Sequence, residues 1–492
     1  MDAMNDDPRL QRLEHLSRRQ FLGRLASGAG GALGAGAMAS LLGTDALAAG
    51  GSGSLGQPHH RPRARRVIYL HMMGGPSQLD LYDYKPGLQE HAGEDLREMP
   101  SVYQNQRITG MTSGQSRLPL VPSRFEFKRH PNNQDGAWIS ELLPHTAGIA
   151  DRIAIVPSMH TEAINHEPGV CFLQTGSQIP GRPSMGAWLS YGLGSANHDL
   201  PSFIVMISQG FGNMQALSAR MWGSGFLPSE HQGVRFRSGS DPVLFLSDPP
   251  GVTRADRRRM LDAVAELNQQ EFARSLDPEV EARIVQGEMA YRMQASVPDL
   301  TDISDEDPRT LELYGPDVNR PGSFARNCLL ARRLAERDVR FIQLYHRGWD
   351  AHGNLPREIR EQARAVDQPQ AALVLDLERR GLLEDTIVVW GGEFGRTAYC
   401  QGAYSKETYG RDHHPRCFTM WFAGGGIAPG ITHGRTDEFG YNVAEDGVHV
   451  HDLHATLLHL LGVDHERLVH RFQGRRYRLT DVAGKVVHGL LA

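Results

Sequence analysis

A series of short, strongly apolar runs, each closed by glycines or a polar loop, constrains this chain most. Val67-Ile68-Tyr69-Leu70 ends at Gly74-Gly75. Ile153-Ala154-Ile155-Val156, Ser202-Phe203-Ile204-Val205-Met206 and Phe341-Ile342-Gln343-Leu344-Tyr345 follow. Ile387-Val388-Val389-Trp390 and Phe418-Thr419-Met420-Trp421-Phe422 complete the series. Runs of this length and composition predict buried core strands. Helical stretches separate them: one over about 323–337, one ending near Arg380-Gly381, and a last one from Asp452 to about Leu461, stopped by Gly462. Strands alternating with helices predict an α/β fold, a doubly wound, mostly parallel sheet flanked by helices. Ligands in that architecture sit beyond the carboxyl ends of the strands.

Two stretches interrupt the pattern. Residues 85–135 are polar with little periodicity, an insertion or long loop. Residues 253–297 are charge-rich with helical spacing. Leu261, Val264, Leu267 and Phe272 mark one apolar face, and Asp277-Pro278 starts a second helix. The expected organisation is a single domain over 65–492 with insertions near 85–135 and 250–300. A Gly/Ser/Pro-rich flexible linker, 50–64, precedes it. The net charge of −5 gives no general nucleic-acid footprint. Beyond the amino-terminal segment, no apolar run approaches the ~20 residues of a membrane span. Cys171, Cys328, Cys400 and Cys417 form no C-x-x-C pair, which argues against a zinc ribbon or a thioredoxin-like site. A Cys400–Cys417 disulfide and buried free thiols both remain open.

The amino terminus is an address. Ser17-Arg18-Arg19-Gln20-Phe21-Leu22 precedes an apolar Gly/Ala-rich stretch from Leu25 to Leu42, and Ala46-Leu47-Ala48 offers a small-residue cleavage site. In that order these parts read as a twin-arginine export signal, with residues 1–49 removed. The expected mature chain of roughly 440 residues is periplasmic or secreted and meets the twin-arginine translocase during export.

Candidate site residues cluster where the apolar runs stop. After the first run, His71 to Asp80 contains Gly74-Gly75, whose backbone N–H groups can turn to an anion, with Ser77 and Asp80 nearby. His166-Glu167-Pro168 precedes a helical stretch, which places His166 in the positive field of a helix N-terminus. Asp350 and His352 lie two apart on a Gly-flanked loop. Carboxylate plus imidazole suits zinc, manganese or iron. In Gly391 to Thr397, Glu393 is a candidate ligand and Arg396 a candidate bidentate anion clamp, unless the two simply pair. His413-His414 precedes a strand; adjacent imidazoles point apart, so one is the ligand and the other supports it. His449 and His451 alternate like strand residues, and Asp452 is a natural N-cap. With 23 histidines in the chain, metal ligation is the theme.

Together these segments closely resemble the bacterial family catalogued as domain of unknown function 1501. The matching stretches are Gly74 to Ser77, Gln174 to Leu193, Gly348 to Asn354, Gly391 to Thr397, Gly410 to Pro415 and His449 to Gly462. More distantly, their order resembles the alkaline phosphatase and sulfatase superfamily. That resemblance implies a doubly wound sheet with a one- or two-metal site. His166, Pro168, Thr175 and Gly176 fit the spacing of a sulfatase nucleophile segment, with His166 in the nucleophile's place and Val170 in the arginine's. Cys171 falls at the wrong offset for formylglycine. Glu393-Phe394 stands where relatives carry Asp-His. The expectation is an exported, metal-dependent hydrolase of phosphate or sulfate esters, taking a small anionic ester or a sulfated or phosphorylated glycan. His166, Ser77 and Arg396 would be catalytic. A divalent ion (zinc, manganese or calcium) would be held among Asp80, Asp350, His352, Glu393, His413, His414 and His451. The alternative is a degenerate relative that keeps a metal and binds an anionic polysaccharide or scaffolds an exported assembly.

Overall fold

A computed structural model describes residues 53–492, apart from 105, 107, 109, 239–241, 244–247 and 250. The twin-arginine segment and its cleavage site lie outside the described residues. β1 (Arg66–Met73) stands near the centre of the sheet. β2 (Ile153–His160), β3 (Phe203–Gln209) and a short β4 (Val234–Phe236) come next in the chain, then β5 (Phe341–Arg347) and β6 (Thr386–Gly391). A separate ribbon, β7 (Gly395–Cys400) with β8 (Arg411–His414), leads into β9 (Phe418–Ala423), and β10 (Val448–His449) completes the sheet. The eight strands lie in the order β10-β2-β9-β6-β1-β5-β3-β4.

The sheet is mostly parallel, as the alternation of strands and helices predicts. β1 is parallel to β5 and β6, β3 to β5 and β4, and β10 to β2. β9 alone runs the other way, against both β2 and β6. Its reversal has a consequence for the site. Residues that precede β9, rather than those that follow it, lie at the carboxyl edge of the sheet.

Helices cover both faces. α1 (His166–Thr175) and α2 (Met185–Leu193) lie on one. α3 (Arg254–Ser275) and α4 (Pro278–Thr301) form a hairpin, followed by α5 (Phe324–Glu336), α6 (Leu355–Arg379) and α7 (Val450–Leu460). Successive β1 side chains point to opposite faces. Ile68, Leu70 and Met72 therefore join a core with Leu329 and Leu334 of α5 and Val366 and Leu373 of α6. Val67, Tyr69 and Met73 join a second core with Val170 of α1, Trp188 of α2 and Leu457 of α7. Burial on both faces is why these strands read as continuous apolar runs.

Several local expectations change. Residues 53–64 are bound rather than a free linker: Ser54 N–H donates to Tyr191 O, and the N–H groups of Arg63 and Ala64 donate to Leu460 O. Within the 85–135 stretch, Leu88, Leu96, Val102, Leu118 and Leu120 build a small core of their own with Leu79, Ala398 and Tyr399. The apolar face expected along 261–272 is split, because Leu261 lies against Gly287 of α4 while Val264 and Leu267 are exposed. His449, not Asp452, caps α7: its Nδ1 accepts from His451 N–H, and Asp452 accepts in return from His449 N–H. All four cysteines are free and buried.

One buried ion pair clips the first loop to the ribbon. Asp80 and Arg411 are both fully buried. Asp80 Oδ2 accepts from Arg411 Nε at 2.9 Å and from Ser77 Oγ at 2.5 Å, and its Oδ1 accepts from Tyr409 OH at 2.7 Å. Asp80→Ala should therefore cost about 3–5 kcal/mol in urea unfolding, because it strands a buried guanidinium. Asp80→Ala with Arg411→Met should recover part of that loss. A cost below 1 kcal/mol for the single change would contradict the clip.

Candidate metal centre

Four side chains from four places in the sequence meet at the carboxyl edge of the sheet. β2 leads to His166, the first residue of α1. β5 leads to Asp350 and His352. The ribbon before the reversed β9 supplies His413. One donor atom from each lies within 4.8 Å of every other. Asp350 Oδ1 is 3.1 Å from His166 Nε2, 2.8 Å from His352 Nε2 and 3.2 Å from His413 Nε2. The Nε2 atoms of His352 and His413 are 3.1 Å apart. Four donors placed 2.0–2.1 Å from one ion at tetrahedral angles lie about 3.3 Å apart. The three Asp350 distances and the His352–His413 distance are close to that spacing, and the whole group stays within 4.8 Å.

The outer hydrogen bonds fix which nitrogen of each ring faces inward. His166 Nδ1 is 2.6 Å from Glu393 Oε1, His352 Nδ1 is 2.5 Å from Gln401 Oε1, and His413 Nδ1 is 2.7 Å from the Ile164 carbonyl. Each partner is an acceptor, so each Nδ1 carries the proton. When a ring is neutral, its Nε2 is then the unprotonated nitrogen, and all three Nε2 atoms lie near Asp350 Oδ1, which is itself an acceptor. Three unprotonated Nε2 atoms around one carboxylate oxygen suit a cation, either a proton, as on His166, or a metal ion.

Asp350 is held from behind. Arg396 Nη2 donates to its Oδ1 at 2.7 Å and Asn213 Nδ2 to its Oδ2 at 3.0 Å. Glu393 stands one shell out, accepting from Gly74 N–H at 3.0 Å as well as from His166. Glycine is required at 74: φ is +121°, and a Cβ would lie 2.6 Å from Asp350 N.

Electrostatics follow this layout. Burial opposes protonation of His166, but its bonds to Asp350 and Glu393 outweigh burial and raise its pKa to about 9. Burial would raise Asp350 as well, yet the three imidazoles and Arg396 hold it far below the usual carboxylate range. Glu393 likewise stays low through His166 and His71, against its burial. His413 is pulled down, chiefly by burial.

The remaining predicted residues lie elsewhere. Asp80 and Ser77 belong to the Arg411 clip. Arg396 is not free to clamp an anion: it donates to the carbonyls of Gly75, Arg411, Gly74 and Trp349 besides Asp350. His414, pointing opposite to His413 along the strand, is bonded to the Tyr441 carbonyl at 2.7 Å. His451 sits on the first turn of α7, 3.1 Å from the Gly176 carbonyl. His166, expected as base or nucleophile, has one nitrogen in the donor group and the other on Glu393. Sequence reasoning missed Asn213, Gln401 and Glu358. Asn213 follows Gly210-Phe211-Gly212 after β3, the same glycine-loop signal that marked the other segments. Gln401 and Glu358 carry no local signature.

A proton and a metal ion compete for this place. In the metal-free protein, the raised His166 pKa stabilises the fold fully below its unfolded value of about 6.5, and that contribution is lost as pH rises through about 9. Binding an ion requires the proton to leave. The Tm gain from a fixed zinc concentration should therefore grow between about pH 6 and about pH 8.5. Calorimetry in buffers of different ionisation enthalpy should report about one proton released per ion near pH 7. A Tm gain that shrinks over this range would remove His166 from the ligand set.

Solved structures match this chain at low identity and low TM-score. An alkaline phosphatase from the Antarctic bacterium TAB5 is 12% identical, with a TM-score of 0.28 over 75% of this chain and 92% of that one. A sulfatase from Pseudoalteromonas sp. is 13% identical, with a TM-score of 0.31 over 84% and 69%. A phosphonate monoester hydrolase from Silicibacter pomeroyi is 11% identical, with a TM-score of 0.28 over 65% and 68%. No curated protein matches the sequence. A family model described as "Protein of unknown function (DUF1501)" matches residues 64–491, and the chain belongs to that family.

Proposed function

We propose that this chain is an exported, metal-dependent hydrolase of phosphate or sulfate esters. The observation that carries the reading is the convergence of three Nε2 atoms on Asp350 Oδ1 at the carboxyl edge of the sheet. Ester class and export rest on the sequence resemblance and on the twin-arginine segment. A divalent ion held there supplies a Lewis acid that polarises an ester oxygen and acidifies water.

The chain's own groups arrange that chemistry. Glu393, Gln401 and the Ile164 carbonyl keep the three Nδ1 protons outward. Arg396 and Asn213 fix both oxygens of Asp350. Glu358, in the first turn of α6, is half-buried, and burial followed by the nearby Asp350 charge raises its pKa. In this reading it passes a proton to the leaving oxygen. With His166, Ser77 and Arg396 committed elsewhere, the reading omits a covalent phospho- or sulfo-enzyme and a guanidinium clamp.

The same commitments favour a second reading, a metal-containing protein that binds an anionic polysaccharide without hydrolysis. Metal analysis of the purified chain, with a panel of aryl phosphates and aryl sulfates, separates the two. Hydrolysis should be metal-dependent and abolished in Asp350→Asn and His352→Ala, which should also lose the ion. Glu393→Gln should weaken metal binding about 10–100-fold. Glu358→Gln should keep the ion and lose roughly 10²–10⁴ in kcat. Bound metal without turnover on any ester, together with retention on a sulfated polysaccharide column, selects the second reading.

A further inference from the structure

Helix α3 carries an apolar seam that none of the described residues covers. None of the 22 residues of α3 is buried. Met260, Val264 and Leu267 are 55%, 51% and 64% exposed, and Val285 of α4 is 45% exposed. Their spacing on α3, four then three residues, is that of a coiled-coil seam. The face of α3 toward α4 is a different one. There Arg254 and Arg258 lie over the Tyr291 ring, and Leu261 meets Gly287. Met260, Val264 and Leu267 therefore form one exposed apolar stripe on α3, turned away from its α4 face.

The charges along α3 identify what covers it. One heptad before Val264 the seam reaches Arg257, and one heptad after it reaches Glu271. The first part of the helix carries Arg254, Arg257, Arg258 and Arg259 against Asp256. The later part carries Asp262, Glu266 and Glu271 against Arg274. A second copy of the same helix, antiparallel and centred on Val264, brings Arg257 of each copy to Glu271 of the other. Two-fold symmetry makes that contact twice. A parallel arrangement would set like charge against like. We propose that two copies of this chain associate through α3, the two helices packing antiparallel about Val264. A 22-residue helix is about 33 Å long, enough to nucleate an interface of standard size.

Sedimentation velocity on the full chain tests this. The expected result is a dimer at micromolar concentration. Val264→Asp with Leu267→Asp should be monomeric, with unchanged Tm and zinc uptake, since both side chains are exposed in the monomer. Arg257→Glu and Glu271→Arg should each weaken the dimer about tenfold, and the two together should restore it. A chain that stays monomeric at every concentration overturns the proposal, as it would if the seam served a different protein. So does a dimer indifferent to Val264→Asp, or a double charge swap weaker than either single.

Discussion

The buried guanidinium of Arg396 is the interaction on which the site depends. An arginine has five N–H donors and no acceptor, so it can lose water only where acceptors meet it. Here the acceptors are the carbonyls of Gly74 and Gly75 after β1, of Trp349 after β5 and of Arg411 in β8, with the carboxylate of Asp350. Two loops and a ribbon strand are tied to one planar group. Asp350, His352 and His413 are all within three residues of those carbonyls. Their mutual distances are set by what the arginine holds, before any ion arrives.

The outer hydrogen bonds then decide what the site can accept. If Glu393, Gln401 and the Ile164 carbonyl were donors, the rings would present Nε2–H groups and Asp350 would accept all three. As acceptors they present lone pairs instead, and the cluster becomes a place for positive charge. The raised pKa of His166 is the metal-free expression of that fact: a proton takes a share of the space that an ion would fill. His413, buried and bonded to a carbonyl, does not compete for it in the same way.

The parts legible in the sequence were those written in consecutive residues. The alternation of apolar runs and helical stretches predicted the sheet. Gly-flanked polar loops at the strand ends located Asp350 and His352. Adjacent imidazoles at 413 and 414 predicted that one would turn away. The parts that were not legible depend on contacts across hundreds of residues. Arg396 and Glu393 sit three apart, so pairing or anion binding were the natural readings; instead each reaches back to the loop after β1. Asp80 resembles a ligand until Arg411 is placed beside it. Among the apolar positions of α3, no local pattern separates Leu261, which meets α4, from Val264 and Leu267, which do not.

Whether four protein donors make a closed structural site or a reactive one turns on geometry and exposure. A structural tetrahedral centre uses all its donors and is shielded, whereas a catalytic one keeps a position open. Oδ1 is the Asp350 oxygen beside the three Nε2 atoms, so this carboxylate takes a single position in the group. Asp350 and His413 are buried, but His166 and His352 are only partly covered. The donor group is therefore closed on the Arg396 side and open on the side of the other two rings. Beyond Asp350 on its Oδ2 side lies the Asn213 loop, whose Gly212 abuts Glu358. On the proposed hydrolase reading, that opening is the side from which an ester would approach, with Glu358 near it. The asymmetry is what a ligand approaching from solvent requires.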